Sequence, residues 1–171
     1  MESDNILLRA VEPEDIDFIL ELENDQDNWR LSATLFPYSR YEIENFVLNS
    51  KHDIFGNQQM RLMIIHKDTQ TTIGCVDLFD LNPLHRRAGI GIIISKEYRK
   101  KGFAEETLNI MSNYAFDTLG IHQLYCHIQP DNNQSIKLFT KLGYQKTGTK
   151  KAWEYYEGQF HDIYFFQLLK L

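Results

Sequence analysis

The chain has 171 residues, enough for one domain with a substantial buried core. Its 43% apolar and 25% charged content is that of a soluble globular protein. A net charge of −6 excludes a general nucleic-acid binder, which needs basic surface to displace counterions from phosphates.

No apolar run reaches the roughly 18 residues of a membrane span. The start, "MESDNILLRA", lacks the basic and apolar segments of a secretory leader, so cytoplasm is the expected compartment. No repeat or linker divides the chain, and residues 1–171 are read as one domain. "NILLRAV" reads as a first strand. Pro13 then suits a helix start, with Ile16, Phe18, Ile19, Leu20 and Leu22 as its apolar side. From Val11 to Asn28 there are eight carboxylates and no Lys or Arg: a solvated face, or a field for a polycationic ligand.

Ser39 with Glu42 forms a capping box opening a second helix through Ile43, Phe46 and Val47. "QMRLMIIHKDTQTTIGCVDLFDL" reads as a hairpin, and "AGIGIIIS", apolar at consecutive positions, as a central fourth strand. From Gly102 the spacing turns helical, with Ala104, Leu108, Met111, Ala115 and Leu119 on one stripe. "HQLYCHI" is another strand. Asn132 or Asn133 caps a short helix with Ile136, Phe139 and Leu142, ended by Gly143. The tail forms two strands around a Glu157–Gly158 turn. This order implies an α/β (α+β) sheet covered by helices. Cys75 and Cys126 form no CxxC and read as buried thiols; the six histidines show no metal spacing, and no metal is expected.

The stretch "YRKKGFA" ends a strand, turns, and opens a helix. Helix N-termini carry unpaired N–H groups and partial positive charge, which suits an anion. Gly102 lets backbone approach a ligand, and Arg99, Lys100 and Lys101 add charge. The predicted phosphate seat is therefore Arg99, Lys100, Lys101, Gly102, Phe103 and Ala104. No Walker GK[ST] is present, and "GIG" at 89–91 lies within a strand pattern.

Arg99-x-x-Gly102-x-Ala104 resembles the Q/R-x-x-G-x-G/A acetyl-CoA motif of the GNAT N-acetyltransferase superfamily. "NNQSIKLFTKLGY" resembles its N-x-x-S-x-x-L-Y-x-K-L-G-F helix, with Asn132, Ser135, Leu138, Leu142 and Gly143 in place. The region from Ile73 to Asn109 is similar to the bacterial spermidine/spermine N-acetyltransferase branch, and the turn "YEGQFHD" to that branch and to the ribosomal-protein N-terminal acetylases.

The resemblance implies a GNAT fold: a mixed, mostly antiparallel sheet of about seven strands, about four helices, and a splayed slot between the fourth and fifth strands for acetyl-CoA. The backbone of Ile92, Ile93 and Ile94 is then expected to hold the pantetheine arm, and Asn132, Ser135 and Leu138 to flank its thiol end. The implied reaction is acetyl transfer to a small-molecule amine, with a polyamine as the specific expectation. A protein or peptide N-terminus, or a CoA-binding module with little turnover, are the alternatives. A homo-oligomer, dimer or higher, is also expected.

An alkylammonium of pKa about 10.4 loses its proton near neutral pH at a cost of about 4 kcal/mol. Asp77, Asp80 and His85 are the candidate bases or amine contacts. On a regular strand Asp77 and Asp80 point to opposite faces. A strand N–H near Ile92 or Ile93 is the candidate oxyanion donor. The sequence departs from the related proteins at Phe139, where the family usually has a Tyr acid, and at Gly89, where they tend to carry Glu. It departs again at Leu35 and Phe36, where the polyamine branch has an acidic pair. Water, Ser135, Tyr144 or unassisted departure of the thiolate are the substitutes for the missing Tyr.

Overall fold

The computed structural model describes residues 1–32, 34–49 and 54–170, with residue 31 described in its backbone only. Strand β1 (Ile6–Ala10) leads through a 3-10 turn at Pro13–Asp15 into α1 (Ile16–Asn24), then α2 (Gln26–Ser32), α3 (Arg40–Leu48) and the single turn α4 (Ile54–Asn57). Strands β2 (Met60–His66), β3 (Thr71–Asn82) and β4 (Arg87–Ile94) follow. Helix α5 (Phe103–Asn113) widens into a π turn at Tyr114–Thr118 before β5 (Gln123–Ile128), α6 (Asn133–Lys141), β6 (Gln145–Tyr156) and β7 (Gln159–Leu169).

The four expected helices are α1, α3, α5 and α6; α2 and α4 are additional. Helix α2 has no apolar stripe and is held by tertiary bonds instead. Asn28 Nδ2 donates to the Leu22 carbonyl at 3.2 Å and Trp29 Nε1 to the Glu23 carbonyl at 2.9 Å. The capping box at Ser39 forms as read, with Ser39 N–H donating to Glu42 Oε2 at 2.7 Å and Glu42 N–H to Ser39 Oγ at 3.2 Å. Asn132 caps α6, its Oδ1 accepting from Ser135 N–H at 3.1 Å.

The strands form one sheet in the order β1-β2-β3-β4-β5-β7-β6. Neighbours are antiparallel except β4 and β5, which run parallel. Alternation splits the apolar side chains between two faces. On the first face Leu62, Ile64, Val76, Leu78, Ile90 and Ile94 pack with Leu108 and Met111 of α5 and Phe139 of α6. On the second, Met63, Ile65, Cys75 and Ile93 pack with Ile19 and Leu22 of α1 and Ile43 and Val47 of α3. Each fully buried Leu or Ile contributes about 1.5–3 kcal/mol.

The β4–β5 pairing stops after Arg87↔Gln123, Ala88↔Leu124 and Gly89↔Tyr125. Beyond Gly89 the two strands part, so the sheet opens at its centre. That opening positions the site.

Candidate active site

The parting of β4 and β5 leaves backbone groups facing the gap, and register identifies them. Ser95 N–H donates to the Ile73 carbonyl at 2.8 Å, and β3 pairs with β4 through Gly74↔Ile94, Cys75↔Ile93 and Val76↔Ile92. Antiparallel pairs alternate between bonded and non-bonded. Ile93 therefore turns its N–H and C=O to β3, while Ile92 turns both towards β5, where no strand pairs with it. Of the two candidate oxyanion donors, Ile92 is the one that faces the gap.

A cavity of about 740 Å³ runs through this opening. On the first face its lining includes Asn132, Ser135 and Phe139; on the second, Glu23, Glu42, Arg61, Asp77, His127 and Glu154 with the rings of Tyr38, Phe46, Phe79 and Trp153. Four carboxylates thus line it against one guanidinium. Arg61 and Asp77 are direct cross-strand partners, and Arg61 Nε and Nη2 donate to the two Asp77 oxygens at 2.8 and 3.0 Å. Arg61 Nη1 donates to Glu23 Oε1 at 2.5 Å. Burial opposes the Arg61 charge, but Asp77 and Glu23 outweigh it and hold its pKa well above the ordinary value. Among the described residues Glu154 has no such ion-pair partner; its Oε2 accepts from Gln129 Nε2 at 3.4 Å.

Asp77 is the one expected catalytic carboxylate that lines the cavity. The β3–β4 register is irregular between Phe79 and Asn82, and Asp80 takes φ 48°, so simple alternation does not hold there. Asp80 accepts from the Tyr125 hydroxyl at 3.2 Å; burial first, and Asp80 second, push that phenol up to about 12. His85 lies in the exposed β3–β4 turn, its N–H donating to Asn82 Oδ1 at 2.8 Å, away from the cavity lining.

Phe139 is 4% exposed and meets Tyr144 edge-to-face with ring centroids 5.0 Å apart. Tyr144 is buried behind it in the first-face core, where burial raises its pKa, and it does not line the cavity. Gly89 has a steric cause. A Cβ there would lie 2.2 Å from Cε2 of Phe79, whose ring covers the position from the paired strand. Phe79 fills the space that a β4 side chain would take.

At the N-terminus of α5, Gly102 adopts φ 91° with no side-chain cap, and a Cβ there would meet no atom within 4 Å. The left-handed φ demands glycine, and the space above it is open. The Arg99 guanidinium is engaged elsewhere: Nε donates to the Ile94 carbonyl at 2.8 Å and Nη2 to Asn28 Oδ1 at 3.2 Å. It braces the loop against α2, leaving the backbone N–H groups at the start of α5 for an anion. Both cysteines are buried and free. Among the described residues no three His, Cys, Asp or Glu cluster as metal ligands, and His52 lies outside them. No helix of the described residues is long and apolar enough to cross a membrane.

Sequence reasoning did not single out Glu23, Glu42, Arg61, Phe79, His127 or Glu154 as site residues. Two of them left a usable signal: Glu23, one of the carboxylates in the acidic run read as a field for a polycationic ligand, and His127, a polar residue between Cys126 and Ile128 in β5.

Comparison with known families decides what such an opening belongs to. Residues 5–145 match the model of the acetyltransferase (GNAT) domain. The chain belongs to the GNAT acetyltransferase family. It is an N-acetyltransferase. The spermidine N(1)-acetyltransferase of Vibrio cholerae serotype O1 is 32% identical over 162 residues, covering 92% of this chain and 89% of that relative. A putative ribosomal N-acetyltransferase of Bacillus subtilis is 25% identical over 175 residues, 98% of this chain and 93% of that one. The crystal structure of the Vibrio cholerae spermidine N-acetyltransferase in complex with CoA and spermine superposes with a TM-score of 0.87 at 28% identity, covering 98% of this chain and 96% of that one. The GNAT fold implied by the motifs, a mixed, mostly antiparallel seven-strand sheet with about four helices, is the fold observed, and its β4–β5 pair is parallel.

Proposed function

We propose that this GNAT enzyme transfers the acetyl group of acetyl-CoA to a primary amine of a polyamine such as spermidine or spermine. The observation that carries this reading is the charge of the cavity: four carboxylates, one guanidinium and aromatic walls suit a chain of ammonium and methylene groups. The similarity to a spermidine N(1)-acetyltransferase supports it.

The acyl donor enters from the β4–β5 gap. The backbone of Ile92 and the N–H of Ile94 hold the pantetheine arm, whereas Ile93, expected to share in this, spends both its backbone groups on β3. The loop from Arg99 through Lys100, Lys101, Gly102 and Phe103 to Ala104 holds the pyrophosphate on its N–H groups. Asn132 and Ser135 border the thiol end, while Leu138, expected beside them, packs against the first-face core instead of lining the cavity. The Ile92 N–H stabilises the developing oxyanion, a contribution of about 3 kcal/mol for one well-placed donor. On the second face Glu154 and Glu42 draw the ammonium in, while Asp77, fixed by Arg61, orients it.

The same surface suggests the assembly state. Trp153, Tyr155 and Phe160 stand exposed on the hairpin of β6 and β7, and we infer that a second copy covers them in a homo-oligomer. A dodecameric structure is known for the Vibrio cholerae spermidine N-acetyltransferase. Light scattering that gives the mass of one chain at micromolar concentration would remove this inference.

Thiol release from acetyl-CoA, measured in parallel with spermidine, spermine, a diamine, free amino acids and short peptides, tests the function. Polyamines are expected to react and the others not. Release with peptides alone reassigns the chain to protein N-terminal acetylation.

A further inference from the structure

Acetyl transfer asks for a group that removes a proton from the attacking amine and one that supplies a proton to the leaving thiolate. Phe139 has no proton to give. Of the cavity carboxylates, Glu23 and Asp77 are engaged on Arg61 and Glu42 in the Ser39 capping box, while Glu154, with one contact to Gln129 at 3.4 Å, stands on β6, separated from β5 by β7. Burial pushes the Cys126 thiol up, away from easy ionisation.

His127 is different. It lies two residues beyond Tyr125, the last β5 residue paired with β4, and so at the point where the strands part. It shares the second face with Tyr125, contacts the Tyr125 and Phe165 rings at 5.7 and 5.3 Å, and is exposed to the cavity. Among the described residues no hydrogen bond engages its imidazole.

We propose that His127 is the proton shuttle of the transfer, taking a proton from the amine nitrogen and returning it to the thiolate. The inference rests on the reading of this cavity as the site of acetyl transfer to an amine. The neutral amine donates its lone pair to the thioester carbonyl carbon, forming the C–N bond and an oxyanion. The imidazole takes one proton from the now positive nitrogen. The oxyanion collapses, the C–S bond breaks with its electron pair on sulfur, and the imidazolium protonates that sulfur. The products are amide and thiol, with the imidazole neutral again. One residue serves both steps, so the absent Tyr hydroxyl is not missed.

The groups facing the imidazole suit this cycle. Burial lowers the His127 pKa, Lys150 on β6 lowers it further, and Asp80 on β3 opposes them. Tyr125 on the same strand stays a neutral phenol, and Glu154 on β6 shares the cavity. On this face β7 presents the Phe165 ring and β4 presents Gly89 and Gly91, none charged. The imidazole is therefore neutral at neutral pH and ready to accept.

The test compares wild type with His127→Gln, using the most reactive amine from the thiol-release assay. General acid–base catalysis contributes about 10²–10⁴-fold. The variant is expected to lose at least about 100-fold in kcat, to lose the acidic limb of the pH–rate profile, and to bind acetyl-CoA with unchanged Kd. Free imidazole is expected to restore part of the activity of His127→Ala, and NMR titration to place the wild-type imidazole below its ordinary value. A variant within about threefold of wild type, or one that keeps the acidic limb, overturns the proposal while leaving the transferase reading intact. A wild type silent with every amine overturns both.

Discussion

Replacing Gly89 with alanine probes how the acceptor end of the cavity is built. The added Cβ would lie 2.2, 2.4 and 2.7 Å from Cε2, Cζ and Cδ2 of Phe79. Carbon atoms pack at about 3.5–4.0 Å, so the ring must retreat by more than about 1 Å. It has little room: its Cε1 is 3.7 Å from the Cβ position of Gly91, and its ring stands edge-on to Tyr125 with centroids 6.0 Å apart. Overpacking of this kind costs about 1–3 kcal/mol, while replacing a strand glycine returns about 0.5–1 kcal/mol of backbone entropy. The expected net loss is about 0.5–2 kcal/mol. Urea unfolding of Gly89→Ala, Phe79→Ala and the double variant measures it. The two changes should couple favourably by about 1 kcal/mol or more, because removing the ring relieves the clash. A Gly89→Ala protein as stable as the parent, or strictly additive losses, would refute the account of why β4 carries glycine here.

Gly102→Glu should raise the Kd for acetyl-CoA at least tenfold in calorimetry. The left-handed φ of 91° strains any side chain, and a carboxylate at the helix start repels pyrophosphate; unchanged affinity would remove the anion seat. Phe139→Tyr should raise the kcat of His127→Gln about tenfold by returning a hydroxyl to the thiol end, with little effect on wild type. No gain in that background would show that proton supply to sulfur is not what the variant lacks. Asp15 is buried and paired with Arg9 at 2.5 Å, and its N-terminal neighbour Glu12 donates a backbone N–H to it at 2.9 Å. Although burial opposes it, the Arg9 and backbone bonds hold its pKa below the ordinary value. Its stabilisation is therefore full above the unfolded pKa of about 3.9 and fades as pH falls through the depressed value. Asp15→Asn should lose about 1–3 kcal/mol at pH 7, and the difference from wild type should shrink below pH about 4. A difference that persists at low pH contradicts this pairing.

Much of the fold was legible because it is local. The consecutive isoleucines of β4, the Ser39–Glu42 box and the Asn132 cap act within a few residues, and each forms as read. Helix α2 was not legible, since its stability comes from Leu22, Glu23 and Asp131 rather than from its own pattern. The charged part of the acceptor wall was hidden for a related reason, whereas Trp153, in the aromatic-rich tail, was open to reading as a pocket wall or a dimer surface. Glu154 lines the cavity from β6, a strand that β7 separates from β5, and Arg61 meets Asp77 only through the β2–β3 register. Strand order is a long-range property that no periodicity encodes. The Asp77–Asp80 parity argument failed locally at the irregularity after Phe79.

The cavity also contains an opposition between binding and chemistry. Carboxylates that gather an ammonium group stabilise its charged form, and so add to the cost of about 4 kcal/mol that deprotonation already imposes near neutral pH. A base buried among those carboxylates would gain nothing, because it would be tied up as they are. In the function and proton shuttle proposed above, the two tasks are kept apart. The acids stand on α1, α3, β3 and β6, while the imidazole stands on β5 at the gap, where the charge of Lys150 disfavours a cation more than Asp80 favours one. An extended amine can then keep its distal charges among the carboxylates while its reacting nitrogen lies in the less acidic zone by Ile92 and His127. This arrangement favours acceptors with more than one ammonium group. A monoamine must choose between the acids that bind it and the base that uses it, so kcat/KM should fall from spermidine to a diamine and again to a simple alkylamine.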